Sequence, residues 1–502
     1  MKIIKKYSSL LLVFVLFGQE DINSLQSNSE TSGVVGTVDI NGKLYNQLSV
    51  RPTIPIGKLG IGLDLYVYFN EDGLYSDSWN FSSISNSYRS IIDKIYFLRW
   101  GKPKDDLYIK VGALSNVTLG SGILVDNYSN IIEYPQNRQI GFNLSAKLNN
   151  LNFELIHSNF KKISPGIIGI RASVKVLPKL ALGMSYVTDL DQNSGLKDSD
   201  GDNYPDYYDF YPNDANKYDD SIYWRSIYEE ILKNDFVGKN FVDWYQNSDY
   251  YNHYNPSSVI KDPVSGFSID IAYNLSNKIS LYSQIAKLIG EIDTSLIDPL
   301  ISLDNNKLGL GIVPIGLRTK LGPLNLLAEY RLNSRYFVFN YWDKTYDVNR
   351  VTLDGLSNLI TKESSLYQYG SLSGFYIQSY MNIINLFDLG FGYQNLFGEI
   401  WDVDLRDYKS KESNQTFFST FTVNPSLIPK VKTLDAYYQQ SNVPDPFNFE
   451  PNTSTIYGYN IGIEMSSGVM LIYKNRTSYI FNIDISEYES VEAVQIETKF
   501  IF

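Results

Sequence analysis

The chain has 502 residues, 15% of them aromatic (41 Tyr and 26 Phe among them), a formal net charge of −12 and no Cys. The acidic balance argues against nucleic-acid binding, which needs basic patches to meet phosphates. Without Cys there is no disulfide, thiolate zinc site or Cys nucleophile, and two His, His157 and His253, leave little for a metal centre or a Ser-His-Asp triad.

At the N-terminus Lys2, Lys5 and Lys6 precede an apolar run from Leu10 to Phe17. The run is too short to span a bilayer as a helix, and the pattern predicts a signal peptide over 1–24, cleaved between Gly18 and Ser24. No later segment offers about 20 unbroken apolar residues, so no transmembrane helix is expected. Mean hydropathy is −0.20. That value leaves room for membrane strands, which are apolar on one face only.

From 25 to 502 the chain reads as strands. In 60–69, Ile61, Leu63, Leu65, Val67 and Phe69 share one face, and Gly62, Asp64, Tyr66 and Tyr68 the other. This is the period of two that marks a strand. Gly120-Ser121-Gly122 is no phosphate loop, because no Gly-Lys-Ser/Thr follows, and marks a turn. A tight turn stands at Asn149-Asn150, and His157 reads as a girdle or wall residue beside Phe153 and Leu155. Further turns stand at Leu177-Pro178-Lys179, Ser276-Asn277-Lys278 and Gly322-Pro323. Phe267 to Leu275 alternates as 60–69 does, and so does the stretch Tyr479, Phe481, Ile483, Ile485. Trp100, Trp342 and Trp401 fall near strand ends, where interface aromatics belong.

Long polar segments separate these hairpins: 71–89, 115–138, 189–263, 290–306, 334–366, 397–415 and 441–455. Short turns at one end and long loops at the other are the asymmetry of an outer-membrane barrel, and loops of this length are unusual in soluble β domains. The expected fold is all-β: one transmembrane antiparallel β-barrel of about 16 strands, with 14–20 allowed, long extracellular loops and a short helical insert.

Residues 189–220 contain ten Asp. Asp198, Asp200, Asp202, Asp206 and Asp209 alternate through a segment that turns at Gly201 and stiffens at Pro205 and Pro212. Ca²⁺ takes six to eight oxygens, and carboxylates so placed can converge on one ion. The segment resembles the Asp-rich calcium repeat of thrombospondin type 3 modules, and in that pattern these five Asp match the ligand-bearing positions. Asn203 stands where a second Gly is usual. Asp189, Asp191 and Asn193 offer a partial second site. Downstream, Trp224, Ile227, Tyr228, Ile231 and Leu232 follow helical spacing behind Asp219, Asp220 and Ser221, which predicts a short amphipathic helix.

In the last strand Val494, Ile496, Thr498, Phe500 and Phe502 share one face, and Gln495, Glu497 and Lys499 the other. This resembles the C-terminal signal by which bacterial barrel-assembly machinery recognises its clients. The resemblance implies Val494, Phe500 and Phe502 facing outer-membrane lipid. As a whole the chain resembles bacterial outer-membrane barrels with a calcium-type insert. That resemblance implies a porin or transporter-like channel for a small solute, or a non-conducting surface protein that binds through its loops. An outer-membrane lipase or protease has too few His and no Cys to draw on.

Overall fold

In the computed structural model the description covers residues 30–501 except 41–42, 72, 76–78, 133, 135–136, 163, 197, 199–203, 206–210, 212–260, 293–300, 302, 304, 354–358, 385, 424–427, 453 and 483–486. The expected signal peptide, four of the five calcium aspartates, the helix after them, Ile483, Ile485 and Phe502 lie outside the described residues.

β1 (Glu30–Ile40) pairs with β2 (Lys43–Ile56). β3 (Leu59–Leu63) and β4 (Leu65–Asn70) form one stave broken at Asp64, and β5 (Gly73–Leu74) extends its tip. Next come β6 (Ile95–Trp100), β7 (Leu107–Gly112), β8 (Gly141–Leu148), β9 (Leu151–His157), β10 (Ile168–Leu177) and β11 (Leu180–Asp189). β12 (Val264–Ser276), β13 (Ile279–Ile289), β14 (Leu310–Leu321) and β15 (Leu324–Asn333) follow. β16 (Val351–Leu353) and β17 (Leu359–Thr361) make a separate small hairpin inside a loop. The wall resumes with β18 (Tyr369–Ile383), β19 (Phe387–Asp402), β20 (Asp407–Val423) and β21 (Val431–Val443). It ends with β22 (Ile456–Ser466), β23 (Val469–Asn482) and β24 (Glu487–Ile501).

β24 returns to pair antiparallel with β1, so the sheet closes into a barrel of 20 strands. The expected number was about 16. The stretch 397–415, expected as a loop, is strand for most of its length. There β19 and β20 stay paired out to Asp402 and Asp407. The first half of β20 reads Asp-Tyr-Lys-Ser-Lys-Glu-Ser-Asn and has no apolar face to reveal it.

The side chains are sorted inside out. On β12, Phe267, Ile269, Ile271, Tyr273 and Leu275 are exposed while Ser268 and Asp270 are buried. On β24, Val494 and Ile496 are exposed, and Gln495 and Glu497 are buried. The parity of 60–69 survives the break at Asp64, with Tyr66 and Tyr68 buried and Leu65 and Phe69 outside. The outward apolar face meets hydrocarbon, and ring closure satisfies every ladder group that an open edge would leave bare.

From β2 to β19 the connections alternate in length. The turns between Ile56 and Leu59, Leu148 and Leu151, Leu177 and Leu180, Ser276 and Ile279, and Leu321 and Leu324 are each of two residues and fall at one rim. The opposite rim carries the long loops 71–94, 113–140, 190–263, 290–309 and 334–368. Among the described residues, 113–140 and 334–368 supply most of an inward apolar cluster, joined by Ile292 and Leu308 of 290–309. Leu114, Ile123, Leu124, Val125 and Tyr128 from 113–140 cluster with Phe337, Tyr341, Trp342 and Tyr346 from 334–368. This cluster is sealed against inward residues of the wall, among them Ile156, Val187, Val264 and Leu288. The hydrophobic core therefore lies inside the lumen, toward the long-loop rim.

Candidate functional site

The two inward loops are joined by backbone. Val125 and Trp342 form a parallel bridge, and the Trp342 and Asn340 amides donate to the Leu124 and Ile123 carbonyls at 3.0 Å each. Trp342 is fully buried over Gly266 of β12, so it is a core residue and not the interface aromatic its place near a strand end implied. Gly120 and Gly122 take positive φ (63° and 94°) in a turn, as expected. The guanidinium of Arg171 lies where a Gly120 side chain would stand, and it makes a bidentate pair with Asp270 at 2.5 and 2.9 Å. A larger residue at 120 would lift the loop off the wall.

Three polar fastenings hold the loops down. Asp64, fully buried at the break between β3 and β4, accepts from Arg138 (2.8 Å), Arg51 (3.2 Å), Ser49 and Tyr134, so it ties the end of 113–140 to the wall. Asp189 accepts from Arg350 (2.8 Å) and Tyr346 (3.0 Å). Gln192 donates one amide group to both Asp262 and Glu363 at 3.3 Å, and accepts from Tyr341 at 2.8 Å. Burial, reinforced by Asp262 beside it, pushes the Glu363 carboxyl up to about 9. The upstream aspartates of the acidic insert thus have other work. Asp189 pairs with Arg350, and Asp191 accepts from the Asn193 amide at 3.1 Å. Among the described residues no group of three or more metal-binding side chains converges. Asp198 is half-buried, while Asp200, Asp202, Asp206 and Asp209 are outside the described residues.

The loops leave the other side of the lumen open. A cavity of about 810 Å³ runs along the inner face of β18 to β24. Its lining begins at Lys344 and Asn442 near the long-loop rim and ends at Asp388, Lys432 and Lys499 near the short-turn rim. A second cavity of about 380 Å³ lies against loop 113–140. The two share Asp126, Asn127, Arg331, Asn340, Tyr376 and Tyr380, which stand where they adjoin. Arg331 is buried there. It bonds Glu329 (2.7 Å), Gln394 (2.6 Å) and Asn340 (3.2 Å), and its guanidinium sits 3.8 Å from the Tyr376 ring centre. Cations along the lane (Arg331, Lys344, Lys362, Lys432, Lys499) are nearly matched by anions (Asp126, Asp343, Asp388, Asp435), so no single sign of charge dominates.

The sequence pointed to none of these lane residues. One signal was present in it: Gly390-Phe391-Gly392-Tyr393 on β19 alternates glycine inward with aromatic outward, and a glycine facing a lumen marks close approach by a neighbour. His157 is the wall residue expected, stacked on Phe160 with ring centres 4.4 Å apart.

A closed sheet, apolar outside and polar within, with short turns at one rim and long loops at the other, is built for one setting. The protein resides in the outer membrane. No protein-family model matches the chain, and no curated protein matches it in sequence. Solved structures similar to it include OccK11 (OpdR) of Pseudomonas aeruginosa, 10% identical over 97% of both chains with a TM-score of 0.31. OpdK of the same organism, with vanillate, is 10% identical over 95% of this chain and 99% of its own, at 0.32. The ferric-catecholate import receptor Fiu of E. coli K12 is 9% identical over 95% and 82%, at 0.37. Likenesses of this size carry no argument about solute or mechanism.

Proposed function

We propose that the barrel is a porin-like channel that lets a small solute cross the outer membrane along the β18–β24 side of the lumen. The observation that carries this reading is one cavity of about 810 Å³ whose lining reaches from Lys344 and Asn442 at one rim to Asp388 and Lys499 at the other. A barrel used only as a surface anchor has no need of such a lane. The full chain refolded into a planar bilayer should give steady ion-conducting steps, and a silent protein would overturn the reading. The apolar cluster around Trp342, which fills the opposite side, favours the second reading of a non-conducting surface barrel. Silence in the bilayer would select it.

The acidic insert belongs to the same proposal as a calcium-stabilised extracellular loop. Asp198, Asp200, Asp202, Asp206 and Asp209 would hold one Ca²⁺, whose charge offsets the repulsion of five clustered carboxylates. Extracellular modules of this kind bind at about 0.1–1 mM. Calorimetry with millimolar Ca²⁺ should show a heat that Asp200→Asn with Asp202→Asn abolishes. No heat, or heat unchanged in the double variant, makes the insert a bare acidic loop.

A further inference from the structure

The wall of the open lane carries aromatic rings in an unusual posture. Gly390 and Gly392 both face the lumen from β19. The Tyr380 ring, reaching over from β18, occupies the space where a Gly390 side chain would begin, with ring atoms 2.7 and 2.8 Å from that point. Phe418, reaching from β20 on the other side, does the same above Gly392, at 2.1 and 2.4 Å. Both rings therefore lean over the neighbouring strand, and both line the lane. Tyr380 is 39% exposed although it faces inward beside Tyr376 and Gln378, so the surface it offers is lumen surface. The two glycines are two residues apart, which spaces the rings about 7 Å along the strand.

Around the rings the lining is mostly neutral and hydrogen-bonding, with Asp126 accepting from Thr118 at 2.8 Å and Asp388 from Asn382 at 2.7 Å. Thr420 Oγ1 flanks Gly390 beside the Tyr380 ring, and Thr416, Ser419 and Gln439 line the same stretch. The nearby charges are already engaged. Arg331 is held by Glu329, Gln394 and Asn340, and Lys362 donates to the Tyr341 carbonyl at 2.6 Å. Lys432, at the short-turn rim, pairs with Glu464 at 2.9 Å. An anionic solute would have to break such pairs along the lane, and a plain hydrocarbon would strand the hydroxyls and amides.

From this arrangement we infer that the lane binds a neutral saccharide, with one sugar face laid on the Tyr380 ring and the next on Phe418. A sugar ring has an apolar C–H face and a rim of hydroxyls, which is the pairing of surfaces the lane presents. The inference rests on the channel reading for passage, and on the geometry alone for binding.

The test is block of single-channel current by maltotriose, with citrate and arginine as charged probes. Maltotriose should interrupt the current with half-block in the range of about 1–10 mM, the affinity of a shallow site with few anchors. Tyr380→Ala and Phe418→Ala should each raise that concentration roughly tenfold, the equivalent of one lost ring contact. Tyr380→Phe, which keeps the ring, should restore block, and Ile377→Ala on the lipid face of the same strand should leave it unchanged. A conducting protein that citrate or arginine blocks while maltotriose at about 100 mM does not would overturn the saccharide assignment and leave the channel intact. If the protein does not conduct, the channel reading fails by itself. Calorimetry of the detergent-solubilised full chain then decides binding: a maltotriose heat lost in Tyr380→Ala sustains the inference, and no heat, or a heat that survives the substitution, ends it.

Discussion

Facing β9 to β14, the lumen is filled like the interior of a soluble protein: Trp342, Tyr341, Phe337 and Leu124 are buried by dense apolar contact and fastened at Asp189 and Gln192. Facing β18 to β24 it is open, and what lines it is aromatic rings seated over glycines, hydroxyls and amides, and charges of both signs. Both sides turn an apolar face outward, but on β9 to β14 the wall also turns Ile156, Val187, Val264 and Leu288 inward, near the long-loop rim. Loops 113–140 and 334–368 bring their own hydrophobic residues onto these inward apolar positions, and Ile292 and Leu308 of 290–309 join them. Because loops 113–140 and 334–368 bury their apolar residues against each other, they stay on one side and leave the other clear.

The largest expected effect comes from removing the centre of that apolar cluster. Trp342→Ala should cost the docked loops about 3–5 kcal/mol, as deletion of a large buried aromatic does. With the loops loosened, the unit conductance should rise and limited proteolysis should cut within 334–368, while the barrel keeps its compact gel mobility. Unchanged conductance and protection would mean that the two sides do not differ in the way described.

A smaller effect concerns the fastening at Gln192. Glu363 has its carboxyl raised from 4.5 to about 9 by burial and by Asp262, so the docked loop holds a proton that an undocked loop releases. Docking should then be firmest below 4.5 and weaken steadily up to about 9, beyond which no further loss is expected. Protease cleavage in 334–368 compared at about pH 5 and about pH 9 measures this, and Glu363→Gln should flatten the dependence by keeping a neutral group in place. A variant with the same pH profile as the parent would place the titration elsewhere.

Strand parity and the short turns were legible because each has a local cause. Alternation at 60–69 and 267–275 follows from one face meeting lipid, and Asn149-Asn150 or Gly322-Pro323 can only turn the chain. The inward loops were not legible as core, because Ile123-Leu124-Val125 and Phe337-Val338-Phe339 have no helical or strand period that assigns them a face. What 334–366 did contain was too many aromatics for a solvated loop, with Tyr336, Phe337, Phe339, Tyr341 and Trp342 within seven residues. That excess is the mark of a segment that must be buried somewhere. The lane residues were hidden for another reason. Tyr380 and Phe418 look like any strand aromatic, and only their contact with Gly390 and Gly392 on a neighbouring strand sets them apart.

The short stave β6 has a mechanical consequence. Among the described residues it is matched to β7 over four positions, from Phe97 opposite Gly112 to Trp100 opposite Ile109, and to β3 over five. β23 and β24, by contrast, are matched over fourteen, and β1 and β2 over eleven. Under lateral load a ring of ladders parts at its shortest one. A pull on the barrel wall, or a crowded bilayer pressing on it, should unzip the β6–β7 seam first and open a slot between lumen and lipid while the longer ladders hold.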